Sequence, residues 1–245
     1  DAVIAAISNS LVYINTNNLA AKAFSLPAWH MQNNFIAALF KDSHSSIYAS
    51  SNKDEKSFFR KQQGEKEFSE ILVTNDSLFD IELPRYIMED NKGHIWFAGH
   101  GLSRLDTQTG KFDYKLNNFP KLRVMRREVS SPVIDKTGKL YFGIQANGLV
   151  VYDMATKQFE HYSRSQGLPD NNIRGIYLHN NTLWLGTESG IASFDVVSKK
   201  ISAYGIADNM PALPFTSYSF FYDSLSGKLY GAFGKEIVGF NPEKL

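Results

Sequence analysis

Hydrophobic residues in this chain come in short runs of five to seven residues, and polar or glycine-containing turns separate the runs. The clearest stretch covers residues 173–204, where runs at 173–178, 183–187, 189–195 and 199–204 follow one another. Each run is rich in β-branched or aromatic residues and is too short for a stable helix. The pattern therefore predicts four β-strands in succession, joined by tight turns.

The same four-strand pattern recurs along the chain. The large apolar residue of the second strand recurs at intervals of about 45 residues, at Ile4, Tyr48, Trp96, Tyr141, Trp184 and Tyr230. At the end of the third strand an apolar residue precedes a polar one, in Ile14-Asn15, Phe59-Arg60, Leu105-Asp106, Tyr152-Asp153, Phe194-Asp195 and Phe240-Asn241. One such sheet cannot bury both of its faces alone, whereas several sheets stacked around an axis can. We therefore predict an all-β protein, a β-propeller of four-stranded antiparallel blades, with about six repeats present as part of a larger propeller.

The repeat also divides the chain into blades. We expect incomplete blades at residues 1–25 and 206–245, and full blades at 26–73, 74–116, 117–162 and 163–205. The first unit begins at its second strand, and the last one stops after its third. We therefore expect residues 1–245 to be a partial β-propeller, cut inside a blade at both ends, from a longer protein.

Aspartates open the turn between the first and second strands in four repeats, at Asp42, Asp90, Asp135 and Asp223. Aspartate side chains accept hydrogen bonds from nearby backbone N–H groups, and a glycine follows in three of these turns. A catalytic carboxylate normally occurs once, whereas a turn residue repeats with the blade. These aspartates are therefore predicted to be structural.

Composition narrows the classes of function. The chain has 26 Lys and Arg residues against 25 Asp and Glu, so no overall field favours nucleic acid or an anionic membrane. It has no cysteine, which excludes disulfides, thiolate metal sites and a cysteine nucleophile. No apolar run reaches the ~18 residues of a membrane span, and no phosphate-binding loop, nucleophile elbow or His-Glu metal helix occurs. We expect no cofactor, and no catalytic activity from this fragment.

Two segments of the best repeat resemble a known family. Residues 167–173 read GLPDNNI and residues 183–195 read LWLGTESGIASFD, which is similar to the repeat of two-component regulator propellers. Residues 215–244 are similar to the last blade in that family. The resemblance implies the periplasmic sensor region of a hybrid two-component system, a histidine kinase of gut-type bacteria held in the inner membrane. Its ligand is usually an oligosaccharide, and a homodimer formed through the full-length receptor is a further expected partner.

Loops on one face of a propeller are the usual binding surface: those leading into each blade and those between second and third strands. Here they would bring together Trp29, His30, Arg123, Arg126, Arg127, His100, Gln145 and Glu188. Arginine forks match the paired oxygens of carboxylate or sulfate groups, so the three arginines favour an acidic oligosaccharide. The alternative is that this cluster is a solvated loop, or a strand whose long stems cover apolar surface.

A second candidate set lies near the start of the innermost strands. Counting back from the aligned positions places Ala37, Arg85, Ser130, Arg174 and Tyr218 there, facing a central funnel. Arg85, Arg174 and Tyr218 could hold an anion or a sugar at that place. The alternative is that inner-strand arginines bond to the backbone of the neighbouring blade.

Other aromatic and histidine residues have more ordinary interpretations. Trp96 and Trp184 occupy the repeated position, so they are predicted to be core residues. Trp29, in a predicted loop, could stack on a sugar ring or pack on its own blade. His94 and His100 lack the tight spacing and nearby partners of metal ligands, so we expect no metal site.

Three functions remain open on the sequence alone. The preferred one is an extracytoplasmic sensor propeller that responds to an oligosaccharide. The second is a non-catalytic interaction or dimerisation scaffold. The third is a propeller lyase, which would require His30 or His100 within hydrogen-bond reach of Glu188.

Overall fold

The computed structural model describes residues 2–7, 10–15, 17–25, 36–51, 58–71, 82–115, 128–210, 213–216 and 220–245. The chain divides into two compact units, Asp1–Arg127 and Glu128–Leu245. The described residues form β-strands and two one-turn 3₁₀ helices, Arg164–Gln166 and Ile206–Asp208. None of the helices in these ranges is long and apolar enough to cross a membrane.

The first unit contains three small antiparallel sheets. Blade 1 consists of β1 (Ala2–Ile7), β2 (Ser10–Asn15) and β3 (Ala21–Ser25). Blade 2 consists of β4 (Ile36–Lys41), β5 (Ile47–Ser51), β6 (Phe58–Lys61) and β7 (Ser69–Glu70). Blade 3 consists of β8 (Glu82–Glu89), β9 (Ile95–Asp106) and β10 (Lys111–Lys115). The first half of β9 pairs with β8 and its second half pairs with β10, so β9 corresponds to two of the predicted strands.

The second unit also contains three sheets. Blade 4 consists of β11 (Val129–Ile134), β12 (Lys139–Ile144), β13 (Gly148–Asp153) and β14 (Gln158–Tyr162). Blade 5 consists of β15 (Ile173–His179), β16 (Thr182–Thr187), β17 (Gly190–Asp195) and β18 (Ile201–Tyr204). Blade 6 consists of β19 (Phe221–Asp223), β20 (Lys228–Phe233) and β21 (Glu236–Phe240). In every sheet, strands that are consecutive in the chain are hydrogen-bonded neighbours.

Strand register confirms the predicted repeat in the second unit. Leu140 pairs with Tyr152, Leu183 with Phe194 and Leu229 with Phe240, which places Tyr141, Trp184 and Tyr230 at one equivalent position. An aligned register keeps each buried face on the same side of its sheet.

In blade 2, the predicted end of the third strand at Phe59-Arg60 is wrong. Phe59 pairs with Ala49, and Lys61 stands opposite Ile47, so β6 continues two residues further. Both Phe58 and Phe59 are buried, in separate core clusters. Adjacent strand residues point to opposite faces. Because both faces are buried here, the hydrophobic pattern does not define the register.

The predicted turns form at the repeated aspartates. Oδ1 of Asp135 accepts hydrogen bonds from the backbone N–H groups of Thr137 (2.8 Å) and Lys139 (3.0 Å). Asp42 and Asp90 accept the equivalent pairs of N–H groups in their own turns. All three carboxylates are buried, so these bonds offset the cost of removing them from water. The structural interpretation of these aspartates is confirmed.

The core lies between successive blades within each unit. In the second unit, one cluster joins blades 4 and 5 around Tyr141, Leu183 and Phe194. Another joins blades 5 and 6, where the ring of Trp184 lies 4.8 Å from that of Phe240. Trp96 and Trp184 are 0% and 1% exposed, which confirms both as core residues.

Candidate functional site

The structure places only part of the predicted site residues. Trp29, His30, Arg123, Arg126, Arg127 and Tyr218 lie outside the described residues. Arg85 and His100 belong to the first unit, whereas Gln145, Arg174 and Glu188 belong to the second.

The prediction that His100 lies in a loop is wrong. His100 lies within β9 and pairs with Glu82 of β8. Gly101, the next residue, takes a positive φ (117°), which glycine adopts without steric cost.

Arg174 and Glu188 form the centre of a polar site in blade 5. Arg174 is the second residue of β15, as predicted, and Glu188 lies in the turn between β16 and β17. Nε of Arg174 donates a 3.1 Å hydrogen bond to Oε1 of Glu188, and Nη2 donates to the same oxygen. The two side chains are 34% and 37% exposed, so a ligand in solvent can reach both. The sequence placed Glu188 among the loops of the binding face and Arg174 at the start of an innermost strand, and it did not predict this ion pair.

Residues of the loop before β15 hold Glu188 in place. Nδ2 of Asn172 donates to Oε2 of Glu188 (3.1 Å), while Oδ1 of Asn172 accepts from the backbone N–H of Ala146 (2.7 Å). Asp170 accepts from the backbone N–H of Asn172 (2.7 Å) and from the hydroxyl of Ser189 (3.2 Å). Both oxygens of Glu188 therefore accept hydrogen bonds, and its carboxylate is oriented before any ligand arrives.

A cleft of about 420 Å³ opens beside this pair, lined by Arg174, Glu188, Pro214, Phe215 and Thr216. Its volume lies in the range of about 300–1,000 Å³ that small-molecule pockets occupy. The cleft combines an ion pair and a hydroxyl group with apolar surface from Pro214, and the buried Phe215 lies beneath it.

Phe215 forms a rigid floor for the cleft. The ring is 2% exposed and packs against three glycines, at which an added Cβ would lie 2.3 to 2.6 Å from ring atoms. These glycines are Gly175, Gly186 and Gly231. Because the ring fills the space that side chains would otherwise take, it has little freedom to move.

A second, smaller cavity shares Arg174 with the cleft. It is also lined by Glu128, Ser130, Gln145, Asn172 and Ile173, and its volume of about 10 Å³ has room for about one water molecule. Gln145, which was predicted from its position between the second and third strands of blade 4, thus lies beside Arg174. Arg174 therefore lies beside both Gln145 and Glu188, although the sequence placed it in a separate candidate set.

The sequence prediction missed Glu128, Pro214, Phe215 and Thr216. Phe215 belongs to no named strand and forms only an isolated bridge to Phe233, so the strand pattern did not mark it. Asn172 lies in the GLPDNNI segment that suggested the family, in the loop that leads into blade 5 and that the sequence assigns to the binding face.

No metal cluster occurs in the described ranges, where no three His, Asp or Glu side chains converge on one point. His94 instead has its Nδ1 3.1 Å from both carboxylate oxygens of Asp90 in the same turn.

Comparison with known proteins identifies the repeat. Residues 167–189 match the model of a family described as the two-component regulator propeller. This segment is therefore similar to a two-component regulator propeller repeat. This confirms the resemblance predicted from the sequence, and the matched residues include Asn172, Arg174 and Glu188. A search of curated proteins found no significant match.

Solved structures establish the fold. The chain superposes on the extracellular domain of the hybrid two component system BT3049 of B. thetaiotaomicron with a TM-score of 0.76 at 20% identity, covering 95% of this chain and 31% of that one. The extracellular domain of a second such system from the same organism, BT4673, gives 0.74 at 14% identity, with 98% and 32% covered. PorZ, a surface component of the type-IX secretion system of Porphyromonas gingivalis, gives 0.66 at 12% identity, with 98% and 31% covered.

The chain therefore has the predicted β-propeller fold. It spans about a third of the length of each of these solved chains.

Proposed function

We propose that this chain is part of the extracytoplasmic sensor region of a hybrid two-component receptor, located in the periplasm. The match of residues 167–189 to the two-component regulator propeller carries the proposal. The likeness in fold to the extracellular domains of two hybrid two-component systems supports it. In this role the propeller binds a ligand and performs no catalysis.

We propose an oligosaccharide as the ligand class, with the face of Gln145, Arg174 and Glu188 as the binding surface. The cleft at Arg174 and Glu188 is open to solvent and combines hydrogen-bonding groups with apolar surface, which suits the polar edges and apolar faces of sugar rings. Two of the residues that line this cleft, Arg174 and Glu188, lie in the segment that matches the family, so that segment supports both the family and the site.

The test is binding of oligosaccharides to the purified 245-residue chain. A panel of neutral and acidic oligosaccharides is screened by thermal unfolding, and isothermal titration calorimetry follows for those that raise Tm. A ligand that binds only the folded state stabilises it by about 2.7 kcal/mol at a concentration one hundred times Kd, so at least one member should raise Tm by several degrees. A panel without any binding would contradict the proposal and favour the scaffold.

An exposed apolar face favours the scaffold as the second candidate. Phe221 and Ile237 on blade 6 are 67% and 80% exposed, whereas Ile191, the blade 5 residue equivalent to Ile237, is fully buried. Exposed apolar side chains on one sheet suit contact with another surface, either a further blade of a longer chain or a partner protein. Self-association of the chain in sedimentation velocity, abolished by Ile237→Lys, would support this candidate.

A further inference from the structure

We propose that the cleft beside Arg174 and Glu188 selects a neutral, hydroxyl-rich ligand, such as an uncharged sugar ring, and discriminates against acidic sugars. This inference rests on the proposed function and specifies the ligand class of its site. It differs from the acidic ligand that the unplaced arginines Arg123, Arg126 and Arg127 suggested.

The first observation is that the positive charge of Arg174 is already balanced. Two of its N–H groups donate to Oε1 of Glu188, at a site where both side chains are about one third exposed. A carboxylate or sulfate ligand would have to compete with Glu188 for the guanidinium and would face the charge of Glu188 at close range. Such like-charge contacts are a common means of excluding wrong partners.

The second observation is the sign of the charge around the cleft. The smaller cavity that shares Arg174 contributes another carboxylate, that of Glu128. Among the described residues that line the two cavities, one cation therefore stands against two carboxylates. Among these lining residues, carboxylates outnumber cations, which does not favour an anionic ligand.

The third observation is that the polar groups match hydroxyl chemistry. A sugar hydroxyl is both a donor and an acceptor, so neighbouring hydroxyls can donate to a carboxylate and accept from a guanidinium. Thr216 adds a hydroxyl, which lies 3.3 Å from the carbonyl of Ala232 and 3.2 Å from that of Gly234. Because its proton is directed to a carbonyl, its oxygen lone pairs serve a ligand hydroxyl as acceptors.

The fourth observation is preorganisation. Asn172 holds Oε2 of Glu188, and the ring of Phe215 is wedged against three glycines under the cleft. A site that is oriented before binding spends less free energy on ordering its own side chains. The cleft is therefore suited to recognise one arrangement of hydroxyls.

The test compares neutral disaccharides with their uronic-acid counterparts, in which one hydroxymethyl group is a carboxylate. Calorimetry on the 245-residue chain should give a Kd at least about tenfold weaker for the acid of a pair, the size of one lost charge-assisted hydrogen bond. Glu188→Gln should weaken binding of the neutral disaccharide about tenfold and strengthen binding of the uronic acid. Glu236→Gln, which removes an exposed carboxylate on β21, is the matched control and should change neither.

Thr216→Val provides a second variant that keeps the shape of the side chain. It should weaken neutral binding several-fold while thermal unfolding confirms that the chain is folded. Uronic acids that bind the unmodified chain as tightly as their neutral counterparts would overturn the inference. If neither Glu188→Gln nor Thr216→Val changes the binding of neutral sugars, the cleft is not the binding site, and the sensor proposal is unaffected. If no sugar binds, both this inference and the sensor proposal are wrong.

Discussion

The hydroxyl of Tyr141 donates a 2.8 Å hydrogen bond to Oδ2 of Asp135, the buried carboxylate six residues earlier in the chain. Nε1 of Trp96 donates in the same way to Oδ2 of Asp90, at 2.9 Å. The repeated aspartate thus forms the turn with one oxygen and binds the polar tip of the core aromatic residue with the other. Blade 5 has no aspartate at this position, and Nε1 of Trp184 finds no hydrogen-bond partner among the described residues.

Tyr141→Phe should lower the free energy of unfolding by about 1–2 kcal/mol, because it removes a donor from a buried carboxylate. The matched control is Tyr230→Phe, at the equivalent register position, where the residue six places earlier is Ser224. That change should lower the free energy of unfolding by less than about 0.5 kcal/mol. Urea unfolding measures both, and equal losses in the two variants would show that the hydroxyl bond to Asp135 contributes nothing.

Stability should fall in acid as the turn aspartates take up protons. Burial alone would raise the pKa of Asp135, but hydrogen bonds from Thr137, Lys139 and Tyr141 outweigh burial and hold the pKa below its ordinary value of 3.8. A lowered folded-state pKa contributes stability that is present above the unfolded value and is lost as pH falls through the folded value. The loss therefore belongs below about pH 4.

Asp135→Asn isolates this contribution. The variant should be less stable than the unmodified chain at pH 7, and the gap should narrow as pH falls towards 3, as measured by urea unfolding at a series of pH values. Glu236→Gln removes an exposed carboxylate, so this variant and the unmodified chain should have almost the same free energy of unfolding at every pH. A constant gap for Asp135→Asn would mean that the carboxylate charge is not what the turn requires.

Gly186→Ala should destabilise the second unit by about 1–3 kcal/mol through overpacking. An added Cβ would lie 2.3 Å from Cγ of Phe215, whose ring is also held by Gly175 and Gly231 and cannot move aside. Gly205→Ala is the matched control, since Gly205 has a φ of −144° and no atom within 4 Å of an added Cβ. Thermal unfolding should therefore shift only for Gly186→Ala.

A smaller side chain at position 215 should relieve the clash. Gly186→Ala should cost less in a Phe215→Leu background than in the unmodified chain, because the branched side chain leaves space beside the glycine. If the losses of unfolding free energy simply add in the double variant, the Phe215 ring does not pack tightly against these glycines, since residues in contact are expected to couple.

Much of the fold could be predicted because each blade repeats a local pattern. The alternation around Trp184 and the turn at Asp135 depend on neighbours within a few residues, so they are visible in the sequence. The register of β6 could not be predicted, because Phe58 and Phe59 are both buried and two adjacent aromatic residues fit either alignment. His100 was misplaced for another reason: its position in the repeat corresponds to the loop between the second and third strands, whereas here it lies within β9.

The candidate site was predictable only in part. From their positions in the repeat, Gln145 and Glu188 could be assigned to one loop face, and Arg174 to the start of an innermost strand. The pairing of Arg174 with Glu188, and the contribution of Thr216 and Phe215, depend on residues 14 to 42 positions apart along the chain meeting in space. No periodic pattern records such contacts.

The sequence by itself determined the strands, the turns, the β-propeller fold and the family of one repeat, because all of these rest on short-range patterns of burial and hydrogen bonding. Only the tertiary structure decided that the charge of Arg174 is balanced by Glu188 and that Phe215 closes the floor of the cleft between glycines. The physical reason is that charge compensation and packing depend on distances across neighbouring strands and blades. What the site can bind is therefore decided by contacts between residues far apart in the sequence.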